Sequence, residues 1–381
     1  MNMSDRKKLG IYIHIPFCIK KCGYCDFCSF SGVEPAVKDD YISVLCLQIK
    51  EAREMTRGYT VDTVYFGGGT PTLLDTDQFG RIFGALHDTF DIYDGAEITS
   101  ECNPATADRE YFAFLRGLGV NRLSIGVQST DPAELKALGR AHGREDVFRA
   151  FDDAHAAGFD NLSADLMFGI PGQTRESFGR TLGEALSLGV CHISAYGLIL
   201  EPGTEFYKNR EKLALPDEDT EYTMYKDAVA TLAASGFHRY EISNFAQPGK
   251  ESRHNLRYWR REEYLGFGAS AHSFFGGRRF FAPASIEEFN SGRFEKSSES
   301  IGRRNSACEF VMLGMRLADG FAESELSALF DESADELFRG RLEKYIEEGF
   351  VVRKNGRIAF TDEGFYVSNT VLSDILDFEN P

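Results

Sequence analysis

The chain has 381 residues, 43% of them hydrophobic and 27% charged, with a formal net charge of −17. That length suits one large domain plus a smaller one, and the acidic balance excludes general nucleic-acid binding, which needs basic surface to neutralise phosphates. Eight cysteines are too sparse for a disulfide scaffold, no run approaches the roughly 18 apolar residues of a membrane span, and the charged start MNMSDRKKLG lacks the apolar stretch of a signal peptide.

Taken in order, the first predicted strand is the β-branched run Ile11–Ile15, which leads directly into Cys18, Cys22 and Cys25. Further strands are predicted at Asp62–Phe66, Ala96–Glu101, Arg122–Val127, Asn161–Phe168 and Cys191–Leu198. Between them the helical period predicts Ala36–Met55, Thr76–Thr89, Asp108–Leu118, Arg144–Ala157 and Arg175–Leu188. Asp108 and Asp131 read as N-caps, and Gly158 and Gly189 fall just past helix ends. Strands alternating with crossover helices imply a parallel sheet, either a (β/α)6 partial barrel or a doubly wound open sheet. Periodicity alone does not choose between them.

A further helix is predicted at Thr220–Ala234, and Gly236–Gly277 is rich in glycine and aromatics with few periodic elements. Phe280–Gly302 reads as a connector. Helices are then predicted at Asn305–Leu317, Glu323–Phe330 and Asp335–Glu348, followed by strands Phe350–Arg353 and Arg357–Phe360 around the hairpin signal Asn355-Gly356, and a last helix from Asp362. These imply three units: an α/β domain over 1–240, a motif segment and connector over 241–302, and a small winged-helix-like module over 303–381.

Ligand chemistry in parallel α/β folds gathers at the carboxyl ends of the strands. There this chain places the three cysteines, the turn Gly67-Gly68-Gly69-Thr70-Pro71, Glu101, Gln128 and Asp165. Three thiols in one short loop suit a metal centre and leave one position of a four-site centre open for a substrate. A structural zinc site would need a fourth ligand, and only Cys28 is near enough in sequence. Later comes Ser252-Arg253-His254-Asn255-Leu256-Arg257-Tyr258-Trp259-Arg260-Arg261, where an imidazole lies among arginines and aromatics. Such a block can ligate haem iron, pack the macrocycle and pair with its propionates, or it can be structural.

The Cys-x3-Cys-x2-Cys spacing, with its lead-in Tyr12-Ile13-His14-Ile15-Pro16-Phe17-Cys18, resembles the signature of the radical S-adenosylmethionine (SAM) superfamily. Within it, the lead-in is similar to that of the oxygen-independent coproporphyrinogen III oxidases and their relatives. The resemblance implies a 4Fe-4S cluster on Cys18, Cys22 and Cys25, with SAM chelating the remaining iron. It further implies SAM contacts from Tyr12 and Tyr24, from Gly68, Gly69 and Thr70, and from Glu101, Gln128, Arg140 and Asp165. His254, Asn255, Tyr258 and Trp259 complete a His-Asn-x-x-Tyr-Trp pattern that resembles the HemW haem-chaperone branch, which makes them the haem candidates. In the true oxidases a further cysteine stands two residues after the third ligand; here Phe27 stands there, and Cys28 is read as a non-ligand. The oxidases also carry a long N-terminal extension, whereas about ten residues precede the first strand here.

The implied function is a cytoplasmic haem chaperone that binds a cluster, SAM and haem and serves acceptor haemoproteins, respiratory-chain components among them, with a one-electron donor. Coproporphyrinogen III dehydrogenase activity is the alternative, and a radical SAM enzyme acting on haem is another. Neither nucleic acid nor a membrane span enters this expectation.

Overall fold

The computed structural model describes residues 6–378; the first five residues of the charged start lie outside them. Six parallel strands, β1 (Lys7–Ile15), β2 (Tyr59–Gly68), β3 (Ile92–Cys102), β4 (Arg122–Gln128), β5 (Leu162–Phe168) and β6 (His192–Gly197), pair in sequence order. The crossovers carry α1 (Pro35–Glu51), α2 (Thr76–Thr89), α3 (Arg109–Leu118), α4 (Pro132–Leu138), α5 (Arg144–Ala156) and α6 (Arg175–Ser187). A doubly wound sheet reverses its strand order at a switch point. This order never reverses, so right-handed crossovers place the helices on one face, as in a (β/α) barrel. The barrel is partial: β6 pairs antiparallel with Asn244–Ala246 and does not meet β1.

The two faces of the strands differ in chemistry. Leu9, Ile11 and Ile13 of β1, Leu123 and Ile125 of β4, and Leu162 and Ala164 of β5 share one core with helix residues such as Leu45, Phe79, Phe112 and Phe178. Alternate positions carry Tyr12 and His14, Thr63 and Tyr65, Glu97 and Glu101, Arg122 and Ser124, Ser163 and Asp165, and His192 and Ser194. Successive side chains on a strand point to opposite faces. The outside of the barrel is therefore apolar against the helices, and the inside is polar.

The helix boundaries have local causes. The Asp108 carboxylate accepts the Tyr111 N–H and begins α3; Asp131 accepts the Ala133 and Glu134 N–H groups and begins α4. After α6 the chain leads through β6 to α7 (Glu218–Ala234), the helix expected from Thr220.

Residues 241–302, expected as a motif segment and connector, carry several short elements. Short helix α8 (Arg253–Trp259) enters the barrel, and β7 (Tyr264–Phe267) pairs parallel with the free edge of β1. His272–Phe275, Arg278–Phe281 and Ser297–Ser300 then extend the sheet antiparallel. Four-residue strands carry too little alternation to be legible as a pattern. In the C-terminal module the expected helix Asp335–Glu348 is also two, Ala334–Phe338 and Leu342–Glu347, because Arg339 and Gly340 adopt φ of 54° and 78°. Asn355-Gly356 does form the hairpin turn, with φ of 55° and 72°, and Phe321–Ala322 adds a third strand. Among the described residues no helix is long and apolar enough to cross a membrane.

Gly268 ties β7 to the carboxyl end of β1. Its φ is +105°, and a Cβ there would stand 2.5 Å from the Tyr41 hydroxyl and 2.6 Å from the His14 carbonyl. Gly268→Ala is expected to cost about 2–4 kcal/mol in urea unfolding. Gly80→Ala in α2, where a Cβ meets nothing within 4 Å, is expected to stabilise by about 0.5–1 kcal/mol.

Candidate cluster and cofactor site

A cavity of about 410 Å³ opens at the carboxyl ends of the strands, a size that encloses one drug-sized ligand. Cys18, Cys22 and Cys25 lie on its wall with Tyr24, Gly68, Gly69, Thr70, Glu101, Gln128, Arg140, Asp165 and Asn255. Tyr12, His254, Tyr258 and Trp259 are not on that wall. The sequence candidates thus divide into residues that face the cavity and residues that stand behind it.

The cysteine loop is fixed by backbone. Gly69 N–H donates to the Ile15 carbonyl and Thr70 N–H to the Phe17 carbonyl, both at 2.8 Å. A Cβ on Gly69 would lie 2.6 Å from the Phe17 oxygen, so only glycine allows this approach. Gly68, at φ +110°, leaves room for the His14 ring, whose Nε2 lies 2.8 Å from the Cys28 carbonyl and so pins the far end of the loop. Midway, Phe206 N–H donates to the Gly23 carbonyl at 2.9 Å, and the Phe206 ring packs edge-on against Tyr24. Thr70 Oγ1 and Arg140 Nη1 approach the Cys18 and Cys22 sulfurs at 3.8 and 3.9 Å. Cys28 turns its sulfur to the Ala284 carbonyl at 3.2 Å and is not on the cavity wall.

These residues fit the cofactors that the motif implies. Among the described residues no three ligating side chains are gathered as one metal ion would require. A cubane instead takes one thiolate on each of three irons, and these three cysteines line one cavity. The glycine turn has spent its donors: Gly68 N–H goes to Glu101, and Gly69 and Thr70 donate to the loop. What it offers a ligand is carbonyl oxygen, which suits an ammonium group better than a carboxylate.

Glu101 and Asp165 supply the acidic side. Glu101 accepts from the Tyr65 hydroxyl at 3.0 Å and Gly68 N–H at 3.1 Å, yet burial, with Asp165 nearby, pushes its carboxyl up to about 7. Asp165 accepts from the hydroxyls of Ser124, Ser163 and Ser194 at 2.7–2.9 Å, and burial still raises it. Gln128 sits at a register shift at the end of β4 with φ of 66°, and its Oε1 accepts from the Tyr196 hydroxyl at 3.3 Å. Arg140 donates to the Gly126 carbonyl at 2.9 Å. Its guanidinium is one cation on the cavity wall that suits a ligand carboxylate.

His254 is fully buried. Its Nδ1 lies 2.9 Å from Thr63 Oγ1, its Nε2 lies 2.7 Å from the Tyr258 hydroxyl, and its ring stacks on Tyr65. Burial, then Arg257 and Arg122, push its pKa down to about 3, so it is neutral. With both nitrogens engaged, it is not presented as an axial ligand to haem; it positions Tyr65, which in turn holds Glu101. Tyr12 also packs on Tyr65, with ring centroids 6.3 Å apart. Tyr258 packs on Tyr264, and Trp259 is half-buried. Asn255 is the member of the block that reaches the cavity.

Sequence reasoning missed Arg122, Tyr65, Ser124, Ser194, Tyr196 and Asn244, all on the cavity wall. Arg122 is 1% exposed, and its Nε has no hydrogen-bond partner among the described residues. The signal was present in the polar alternate positions of β2 to β6.

Residues 12–185 match the radical SAM superfamily, and residues 303–367 match the HemN C-terminal domain. The haem chaperone HemW of Bacillus subtilis is 35% identical over 96% of this chain and 98% of its own length. HemW of Mycobacterium tuberculosis is 35% identical over 92% of both chains, and that of Escherichia coli 33% identical over 96% and 97%. The chain belongs to the HemW family. In solved structures its fold is shared with the coproporphyrinogen III oxidase HemN of Escherichia coli, at a TM-score of 0.86 and 24% identity over 98% of this chain and 91% of that one.

For this HemW-family chain, two outcomes separate the residue behind the wall from the residue on it. His254→Ala strands the Thr63 and Tyr258 hydroxyls and removes the ring under Tyr65, at about 3 kcal/mol in urea unfolding, whereas Asn255→Ala changes stability by less than about 1 kcal/mol. Glu101 gives a pH signature in the cofactor-free protein. Its folded pKa of about 7 lies above the ordinary 4.5, so the folded state binds the extra proton and stability falls as pH rises from 4.5 to 7. Glu101→Gln is expected to remove a share of that fall of roughly 1–3 kcal/mol, read from urea midpoints across the range.

Proposed function

We propose that this chain is a haem chaperone: it binds a 4Fe-4S cluster through Cys18, Cys22 and Cys25, SAM beside the cluster, and haem, which it passes to acceptor haemoproteins. The observation that carries this reading is similarity over nearly the whole chain to proteins named haem chaperone HemW. The site agrees with it, because three thiols, a glycine turn, two buried carboxylates and two guanidiniums, of Arg122 and Arg140, share a cavity sized for one cofactor.

With cluster and SAM bound, that pair supplies one-electron chemistry, drawing on an external one-electron donor. The chain's own residues bind and orient. Carbonyl oxygens of the Gly68-Gly69 turn would take the amino group, Arg140 the carboxylate, and Gln128, Glu101 and Asp165 the ribose end. Tyr24 closes one side of the cavity. His254 and Tyr12 act through Tyr65. The setting is the cytoplasm, where thiols stay reduced, and the acceptors include respiratory-chain haemoproteins.

Coproporphyrinogen III dehydrogenase activity is the second reading, favoured by the shared fold. Phe27 stands where the dehydrogenases carry a cysteine, and fold alone does not assign activity. The deciding experiment supplies reconstituted protein with coproporphyrinogen III, SAM and a reductant, beside a haem-transfer assay to an apo-haemoprotein. Haem transfer without decarboxylation is expected; decarboxylation overturns the chaperone-only reading. Substituting any one of Cys18, Cys22 and Cys25 by Ala is expected to abolish the cluster's visible absorbance, whereas Cys28→Ala keeps it. SAM is cationic at its sulfonium and ammonium, so its affinity is expected to rise as pH passes upward through about 7, where Glu101 ionises, and Glu101→Gln is expected to flatten that rise in calorimetric titration.

A further inference from the structure

Haem needs a place that the cavity does not provide. The cavity encloses about 410 Å³ and its wall is already spoken for by the cluster and SAM residues, so a tetrapyrrole has no room beside them. His254, one of the haem candidates, is fully buried with both nitrogens engaged. The mouth has a different character. Ile19 and Phe27, both on the cysteine loop, are 55% and 69% exposed, and both line the opening. Single exposed apolar side chains need no explanation. Two on one anchored loop, at the entrance to one cavity, mark an interaction surface. Lys20 and Lys21 stand between them in sequence, are exposed and line the same mouth, in a chain whose net charge is −17. The loop therefore combines an apolar platform with local positive charge.

We propose that haem docks on the outer face of the cysteine loop, its macrocycle on Phe27 and Ile19 and its propionates on Lys20 and Lys21. This rests on the haem-chaperone reading and gives that reading a site. Aromatic and branched side chains take the apolar plane, and ammonium groups take the carboxylates. Lys21 has a second function, since its Nζ donates to the Phe27 carbonyl at 3.1 Å and holds the loop's curve. Phe27 occupies the place at which the dehydrogenases carry a cysteine, so the position that distinguishes the two branches is the platform itself.

The test is haem titration of the full chain, with and without its cluster, followed by Soret absorbance. Phe27→Ser and Ile19→Ser are each expected to weaken haem binding by about tenfold, from the lost apolar contact. Haem dimethyl ester, which lacks the carboxylates, is expected to bind the native chain more weakly than haem, and the Lys20→Glu, Lys21→Glu double variant is expected to abolish that preference. The cluster-free titration separates a lost platform from a lost cluster, and far-UV circular dichroism checks the fold. If the native chain binds no haem, the chaperone reading falls. If it binds haem and all four measurements match the native values, the loop surface falls and the reading stands.

Discussion

One carboxylate inside the barrel fixes what lies above it. Glu97, 6% exposed on β3, accepts the Arg253 N–H at 3.1 Å and the His254 N–H at 3.0 Å, so it holds the first turn of α8 through two backbone donors that a helix otherwise leaves free. A buried carboxylate is costly unless it is hydrogen-bonded and balanced; here the amides supply the bonds and Arg122 the nearby charge. At the other end of α8, Arg257 pairs with Asp62 of β2, and both side chains are nearly inaccessible. The helix is thus fastened to the barrel by acids from two adjacent strands. Its side chains follow from that: His254 against Thr63 and Tyr65, and Asn255 into the cavity.

From there the geometry reaches the cofactor wall in short steps. The His254 ring stacks on Tyr65, the Tyr65 hydroxyl donates to Glu101, and Glu101 accepts the Gly68 N–H. Gly68 belongs to the turn whose next two amides hold the cysteine loop. A block near residue 254 and a loop near residue 20 are therefore parts of one hydrogen-bonded assembly. Such outer partners set the orientation of the groups that touch a ligand. Behind them the barrel interior continues as paired polar groups: the His192 ring between Ser163 and the Tyr240 hydroxyl, and Asp165 among three serines. A polar interior of this kind specifies one arrangement only when its members find partners, and the buried Nε of Arg122, a residue of the cavity wall, is an exception.

Much of this was legible in residue order, for physical reasons that differ by element. Strand and helix positions from β1 to α7 follow from hydrophobic period and capping residues; Asp108 and Asp131 cap where expected. The three cysteines, the glycine turn, Glu101, Gln128 and Asp165 were reachable because strand ends in this fold converge. The choice between barrel and doubly wound sheet was not, since strand order is a property of pairing and not of any one strand. Residues 264–300 were unreadable for a related reason: their strands are four residues long and gain definition only by adding to an existing edge. His254 was left open between haem ligand and structural residue because an imidazole among arginines and aromatics reads the same whether its partners are iron or Thr63 and Tyr258. Burial decided it. Arg122 and Tyr65 were overlooked because the strands were read for apolar content, whereas their polar alternate positions line the cavity.

The shared architecture with HemN makes the small differences at the mouth more informative than the large similarities below it. A barrel whose interior is committed to polar pairing has little freedom to change function from within, because each buried group there answers to several neighbours. The cysteine loop is different: its backbone is anchored at Ile15, Phe17, Gly23 and Cys28, but Ile19 and Phe27 project into solvent and can change without disturbing those anchors. Cysteine and phenylalanine at position 27 would be equally tolerated by the fold and opposite in chemistry, one a ligand or redox group, the other an apolar plane. A change of surface chemistry is therefore available at the rim, on an unaltered frame beneath it.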